Sequence, residues 1–135
     1  MGIIEKYSNA PELLISNLGV RKSGSNTKFK AVKAIWDTGA NHTFISKKLA
    51  QELQLNLINN KAVSIANGIS KKQNLYYVDL VIQQLNECIT EIMVADGVGE
   101  NYPYDIIIGL DIINKGNFRY FKESGIYILD FEFND

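Results

Sequence analysis

Apolar and polar residues alternate along much of this chain, a pattern typical of β-strands with one buried face. Turn-forming segments separate neighbouring runs and predict hairpins of residues 13–21 with 27–36, 76–83 with 88–95, and 118–121 with 126–133. A further alternating run begins at Val63 and enters Asn67-Gly68, a dipeptide typical of hairpin turns. The pattern therefore predicts a closed antiparallel β architecture.

Two short helices are expected to interrupt the strands. Ser46 can cap a helix over residues 47–55, in which Leu49, Ala50 and Leu53 follow one face. The apolar run from Ile106 to Ile108 indicates a fully buried strand closed by Gly109. Asp111 can then act as the N-cap of a brief helix that Gly116 ends.

The composition fits one self-contained domain over residues 1–135. The chain is 46% hydrophobic, has only two prolines and contains no low-complexity tract, so it can bury a substantial core. Its net charge is −1 and its basic residues are scattered, which favours neither nucleic acid nor a membrane surface as a partner. Because the first residues include no long apolar stretch, we expect a soluble cytoplasmic protein.

The most informative motif follows the apolar run that ends at Trp36. Asp37 stands at the end of this predicted strand, directly before Thr38, Gly39 and Ala40. Thr38 can bond to the turn backbone, and Gly39 lets the chain bend and lets another backbone come close. A carboxylate in poorly solvated surroundings can take part in acid-base chemistry, although an ordinary turn leaving a strand would have the same sequence.

Two other reactive residue types are more simply explained by structure. Cys88, the single cysteine, lies in an alternating stretch and is expected to be a buried or half-buried strand residue without an intrachain disulfide. His42 is the single histidine, and no other metal-binding residues accompany it at short spacing. We therefore predict no metal and no cofactor.

Three elements in order resemble the retropepsin-like aspartic proteases, especially small single-domain bacterial members related to retroviral proteases. They are the apolar strand into Asp37-Thr38-Gly39-Ala40, the hairpin around Asn67-Gly68, and Ile106-Ile107-Ile108-Gly109 before a short helix. The resemblance covers most of the chain and implies a closed retropepsin-like barrel with a flap hairpin. It also implies an aspartic endopeptidase that cleaves extended peptides with a water held between two carboxylates.

This resemblance assigns roles to particular residues. The chain carries one Asp-Thr-Gly motif, so the active unit implied is a homodimer in which each subunit contributes Asp37. Thr38, Gly39 and Ala40 would support the active-site loop. The flap and substrate-binding positions would be Ala66, Asn67, Gly68 and Ile69, and the structural positions near the site would be Ile108, Gly109 and Asp111.

The chain also departs from the retroviral pattern. Asn41-His42 follows Ala40 where retroviral enzymes typically have two acids, and Leu110-Asp111 follows Gly109 in place of Arg-Asn. The intrasubunit acid-arginine pair of those enzymes is therefore absent. Either other contacts stabilise the dimer, or its association is weaker and depends on concentration.

Several alternatives remain open from the residues. Asp111 could build an acid pair with Asp37 inside one subunit, although capping is the simpler role. The fold could serve a noncatalytic dimer that binds extended peptides, or a glycosidase that uses two carboxylates. Apolar residues near the termini could form either an intersubunit sheet or part of the core: Ile3, Ile4, Ile126, Ile128 and Leu129.

Overall fold

The computed structural model describes residues 2–25, 28–64 and 70–134. Along these residues lie ten strands, two short α-helices and one 3₁₀ turn: β1 (Gly2–Tyr7), β2 (Ile15–Lys22), β3 (Lys30–Trp36), β4 (Phe44–Ser46), α1 (Lys47–Glu52), β5 (Asn59–Ser64), β6 (Ser70–Ile82), the 3₁₀ turn (Gln83–Leu85), β7 (Glu87–Val98), β8 (Ile106–Ile108), α2 (Leu110–Ile113), β9 (Gly116–Glu123) and β10 (Ile126–Phe133). The predicted predominance of strands is confirmed.

Six of these strands close into a barrel. They pair in the order β2-β3-β8-β4-β7-β6, and β6 pairs with β2 to complete the ring. β5 pairs with β6 and extends the sheet beyond the ring. The expected antiparallel pairing holds for most neighbours, but β3 with β8 and β4 with β7 are parallel. β3 and β8 are neighbours in the barrel and run parallel, so their last residues, Trp36 and Ile108, lie side by side.

The barrel encloses the main hydrophobic core. Val20, Ala34, Ile45, Val78 and Ile106 are fully buried within it, each supplied by a different barrel strand. Burying a Val or Ile side chain stabilises a fold by about 1.5–3 kcal/mol, so this shared core fixes the strands relative to one another. Such a core gives the site a rigid support.

A second sheet, the terminal sheet, has the order β1-β10-β9. Its strands pair antiparallel within the one chain, with Ile3 opposite Phe131 and Phe131 opposite Phe118. Ile3 and Leu129 are buried in the main core, whereas Ile4 and Ile126 are 61% and 41% exposed. The core role is thus confirmed for Ile3 and Leu129, and an intersubunit role for the exposed pair stays a prediction.

The predicted hairpins are present in the structure with somewhat different limits. β2 pairs with β3, β6 with β7, and β9 with β10, all antiparallel. Asn86 adopts a left-handed conformation with φ of 52° and lets the chain turn from β6 into β7. Cys88 is half-buried on β7, as predicted for a strand residue, and His42 is exposed.

The predicted helix after Ser46 begins as expected but ends earlier. Ser46 is the N-cap, and its hydroxyl accepts a hydrogen bond of 3.1 Å from the amide of Leu49. Gln54 then turns left-handed, with φ of 53°. The amide of Leu55 donates to the carbonyl of Ala50, and that of Gln54 to Gln51, which is a Schellman ending. This ending limits α1 to Lys47–Glu52 instead of residues 47–55.

Candidate active site

The predicted catalytic turn lies where β3 leaves the core. Ala34, Ile35 and Trp36 are buried at the end of the strand, whereas Asp37 is exposed. Thr38 and Gly39 are exposed as well, and Ala40 is half-buried. The chain therefore passes from the core to the surface within one residue, which presents the Asp37 carboxylate to solvent from a rigid strand end.

Two hydrogen bonds shape the turn itself. The amide of Gly39 donates to Oδ1 of Asp37 over 2.9 Å, and the amide of Ala40 donates to the carbonyl oxygen of Asp37 over 3.1 Å. The first bond is an Asx-type turn, as the ordinary structural explanation of the motif requires. The same bond orients the carboxylate while its side chain stays exposed, so a turn role and a chemical role are compatible.

β8 and the first residue of α2 hold the turn from the side. Trp36 lies opposite Ile108 in the parallel pair of β3 and β8. The amide of Asp37 donates to the carbonyl of Ile108 over 2.9 Å, and the amide of Leu110 donates to the carbonyl of Ala40 over 2.8 Å. Both ends of the turn are thereby fixed to one short segment, so the backbone under the carboxylate has little freedom to move.

Gly109 lies in the middle of that segment, where space is tightest. A Cβ atom at this position would overlap the backbone carbonyl of His42 and would approach the carbonyl oxygen of Ala40 to 2.9 Å. Since backbone atoms cannot step aside as a flexible side chain can, glycine is required here for the close approach of the two segments. Gly109 thus lies directly beside the predicted active-site loop.

Asp111 occupies a different position from the one predicted. Gly109 is the N-cap of α2, Asp111 lies inside the first turn, Asn114 follows the helix, and Gly116 opens β9. The N-cap prediction and the ending at Gly116 were therefore wrong. An N-cap residue needs extended backbone, which Gly109 supplies with φ of −99° and ψ of −174°.

The Asp111 carboxylate bonds instead to a buried threonine 68 residues away in sequence. Oδ2 accepts from the Thr43 amide over 3.1 Å, and Oδ1 accepts from the Thr43 hydroxyl over 2.7 Å. Oδ1 also accepts from the Ile112 amide over 2.9 Å, and the Thr43 hydroxyl accepts from the Gly109 amide over 3.1 Å. These bonds, which we call the Thr43–Asp111 brace, connect the segment that follows the Asp37 turn to the segment that follows β8.

Sequence reasoning missed Thr43, which lies three residues after Ala40 and is fully buried. No local pattern marks it, since its partners come from the segment after β8. Both oxygens of Asp111 are already engaged by backbone and hydroxyl donors, so this carboxylate has a structural role through contacts that its sequence context did not reveal.

A small apolar cluster borders the turn. Phe44, Leu75, Ala95 and Val98 form it, and the half-buried Ala40 and Ile107 pack against it. This cluster is separate from the main core and reaches the surface through Ala40 and Ile107. Through Ala40, the active-site turn thus packs against an apolar cluster.

The described residues include the two strands of the predicted flap, β5 and β6. β5 and β6 pair antiparallel, with Ser64 opposite Ser70, so a hairpin with five intervening residues is present. The proposed tip residues Ala66, Asn67, Gly68 and Ile69 lie outside the described residues. Whether this hairpin covers the Asp37 turn stays a prediction.

Within the described ranges, no group of three or more His, Cys, Asp or Glu side chains could hold a metal ion. Over the same part of the chain, no helix is long and apolar enough to cross a bilayer.

Comparisons with known proteins identify the family and the fold. The model of the family described as "gag-polyprotein putative aspartyl protease" matches residues 26–115, which include the Asp37 turn and the Thr43–Asp111 brace. The fold is similar to the crystal structure of a retropepsin-like aspartic protease from Rickettsia conorii, with a TM-score of 0.58 and 19% sequence identity. That similarity covers 96% of this chain and 93% of the Rickettsia chain. No curated protein matches the sequence.

Proposed function

The chain belongs to the retropepsin-like aspartic protease family, and on that premise we propose that it is an endopeptidase whose active unit is a homodimer. In this proposal Asp37 from each subunit contributes one carboxylate to a shared site. The substrate is a protein or peptide segment in an extended conformation. The barrel fold and the family are established by the comparisons, and the residue roles below are our inference.

The observation that carries the proposal is the exposed Asp37 carboxylate on a backbone fixed from two sides. Catalytic groups need such preorganisation, because a misplacement of about 1 Å can cost a hundredfold in rate. The chain has one Asp-Thr-Gly motif, and the Asp111 oxygens are engaged in the Thr43–Asp111 brace. A second copy of the chain is therefore the simplest source of a second catalytic carboxylate.

The chemistry follows from placing two carboxylates beside one water. Two carboxylates about 3 Å apart cannot both ionise easily, so they share one proton. The ionised Asp37 takes a proton from the water as general base, and the protonated Asp37 polarises the scissile carbonyl. Thr38 is proposed to bond across the dimer and lock the two turns, while Gly39 and Ala40 leave room for the substrate backbone.

The surroundings of the turn suggest how the substrate is held. The apolar cluster reaches the surface at Ala40 and Ile107, beside Asp37, and would favour apolar substrate side chains near the scissile bond. The β5–β6 hairpin is proposed to close over the substrate and exclude water, with Asn67 and Gly68 at or near its tip.

The test is cleavage of a diverse peptide library by the wild type and by Asp37→Asn, over a range of protein concentrations and from pH 3 to 8. We expect internal cleavage, favoured at acidic pH, that rises faster than linearly with protein concentration and disappears in Asp37→Asn. Inhibition by pepstatin-like compounds would support the same chemistry.

Two results would contradict the proposal. Cleavage that persists in Asp37→Asn would place the chemistry elsewhere, and the Thr43–Asp111 region would then need the same test. A folded wild-type dimer that cleaves no peptide, but binds extended ones, would favour the noncatalytic binding module.

A further inference from the structure

Gln73, on β6, carries an unpaired polar atom next to the apolar cluster that borders the Asp37 turn. The residue is 8% exposed, and its side-chain oxygen Oε1 is buried without a hydrogen-bond partner in the part of the chain that the structure describes. Burying an acceptor without a partner reduces stability, so natural proteins rarely leave one in place. An acceptor left free in this way is suited to a donor that arrives with a ligand.

The carboxamide of Gln73 lies against the apolar cluster. Leu75, two residues further along β6, belongs to that cluster, and alternate residues of a strand share one face. A Cβ atom at Gly97 would lie 2.6 Å from Nε2 of Gln73 and 2.5 Å from Cδ1 of Phe44, another member of the cluster, so both groups lie over this glycine. Gly97 itself is exposed. The amide is therefore close to the surface and not deep in the barrel.

The same cluster connects Gln73 to the candidate active site. Phe44 directly follows Thr43 of the Thr43–Asp111 brace, and Ala40, at the end of the Asp37 turn, packs against the cluster. Because the cluster is small, a substrate side chain that packs on it lies near both the turn and the amide of Gln73.

The next residue of β6 holds the strand in place. Asn74 donates from its backbone amide to Oδ1 of Asp96 over 3.0 Å and from Nδ2 to Oδ2 over 3.1 Å. Asp96, on β7, is 6% exposed, so these bonds are shielded from water, which strengthens them. The side-chain amide of Asn74 thus has a partner inside the fold, whereas the neighbouring amide of Gln73 keeps its oxygen for another donor.

We propose that Gln73 is a specificity-determining residue, whose Oε1 accepts a hydrogen bond from a neutral, donor-bearing substrate side chain that packs on the apolar cluster near the scissile bond. The inference rests on the proposed function, since it names the peptides that the Asp37 site cleaves best. Threonine matches the position well, because its methyl group suits the cluster and its hydroxyl donates to the amide oxygen. Lysine and arginine are disfavoured, because their charge would be buried against apolar side chains.

The test compares threonine with valine, a side chain of the same branched shape that has a methyl group in place of the hydroxyl. A degenerate peptide library is prepared with each position fixed in turn as Thr or Val, and kcat/KM for cleavage by the wild type is measured. At one position near the scissile bond we expect Thr to be preferred about five- to tenfold, the effect of one neutral hydrogen bond. No preference for Thr at any position would overturn the proposal.

Gln73→Met removes the acceptor and keeps an unbranched side chain of similar length. We expect it to abolish the preference and to raise cleavage of the Val peptides, because no unpaired acceptor then faces the valine methyl group. Gln84→Met changes an exposed glutamine of the 3₁₀ turn and is the matched control, which should keep the wild-type preference. A Thr preference that persists in Gln73→Met, or an equal loss of cleavage on both peptides, would overturn the proposal.

A thermal melt tests the unpaired state of the oxygen itself. Since Gln73→Met removes a buried acceptor that has no partner, its melting temperature should be at least that of the wild type. A strongly lowered melting temperature, or failure to fold, would show that Gln73 is bound inside the fold and would overturn the proposal.

Peptide binding to the Asp37→Asn protein separates this proposal from the proposed function. The same library is applied to immobilised Asp37→Asn protein, with and without Gln73→Met, and retained peptides are identified by mass spectrometry. Retention of Thr over Val peptides that requires Gln73, without cleavage by the wild type, would contradict the proposed function and leave the role of Gln73 standing. Cleavage without a Thr preference would do the reverse. Neither retention nor cleavage would overturn both.

Discussion

Asp37 and Asp79 are both carboxylates beside irregular backbone, but they lie in opposite environments. Asp79, on β6, is 2% exposed and accepts hydrogen bonds from the Arg21 guanidinium, the Ser23 hydroxyl and the Glu91 amide, all within 3.2 Å. Asp37 is exposed and accepts from the amide of Gly39.

This difference in exposure and in hydrogen-bond partners distinguishes a structural acid, Asp79, from an acid whose carboxylate is accessible, Asp37. The Asp79 contacts lie at an irregularity in the β6–β7 pairing, where Glu91 has a φ of 55°. Its charge is buried, paired and fully used in stabilising that bulge. The Asp37 charge is fixed by its backbone while the carboxylate itself remains accessible, which is the combination a general base requires.

The largest effect should come from Asp37→Asn. We expect peptide cleavage to fall by at least about a thousandfold, because the variant removes the proposed general base but keeps the size of the side chain. The Gly39 amide can still donate to the amide oxygen, so thermal unfolding should change little. A cleavage assay and a thermal melt on the same sample measure the expected loss of activity and the expected retention of stability. A large loss of stability would show that Asp37 resembles Asp79 and is structural.

Asp79→Ala should produce the opposite pattern. It leaves the Arg21 guanidinium and the Glu91 amide without their acceptor, and breaking a buried ion pair costs about 3 kcal/mol or more. Chemical denaturation should therefore show a lower free energy of unfolding, while kcat of the remaining folded dimer stays near that of the wild type. Asp79→Asn, which keeps the shape, is the matched control and should lose less.

Asp111→Asn sharpens the comparison, because Asp111 lies beside the site but resembles Asp79 in its contacts. The amide NH₂ group cannot accept from a Thr43 donor, so we expect the free energy of unfolding to fall by about 1–3 kcal/mol. Cleavage by the folded variant should persist at reduced rate, since the Thr43–Asp111 brace only supports the turn. Complete loss of cleavage in a fully folded dimer would mean that Asp111 belongs to the acid pair.

The smallest effect concerns the pH dependence of stability at Glu5. Burial raises the pKa of this carboxyl in the folded state, so the folded protein binds the proton more tightly than the unfolded chain does. Its stabilising contribution is therefore present below the unfolded pKa and is lost as pH rises through the folded pKa. Denaturation curves of Glu5→Gln should show a weaker fall in stability across that window. A steeper fall would contradict the direction of the shift.

The sequence contained the information on local structure but little on how distant segments meet. Alternation and turn residues predicted the hairpins, and Ser46 predicted the start of α1, because these features depend on neighbours in the chain. The left-handed Gln54 that ends α1 early was not visible, since glutamine has no special preference for that conformation.

Within the site, a turn after the strand that ends at Trp36 was predictable. The exposure of the Asp37 side chain, where poorly solvated surroundings were expected, and the supports of the turn were not. Thr43 bonds to Asp111 across 68 residues, and Ser16 accepts from Trp36 across 20. Neither pair has a sequence pattern. Thr43 and Asp111 lie on separate segments that meet where β4 pairs with β8, and the Ser16–Trp36 bond depends on side-chain packing within the β2–β3 hairpin. Ile108 and Gly109, which the resemblance implies are structural positions near the site, lie beside the turn. The N-cap role that the residue pattern suggested for Asp111 was wrong, because Gly109 is the N-cap.

The central claim is that one site needs Asp37 from two copies of the chain, and mixing subunits tests it most directly. Wild-type and Asp37→Asn protein are combined at constant total concentration, well above the dimer dissociation constant, and allowed to exchange subunits. If both carboxylates are needed, an equal mixture should retain about a quarter of the wild-type activity, because random pairing leaves that share of wild-type dimers. Activity of about a half, proportional to the wild-type fraction, would show that each subunit works alone and would contradict the account.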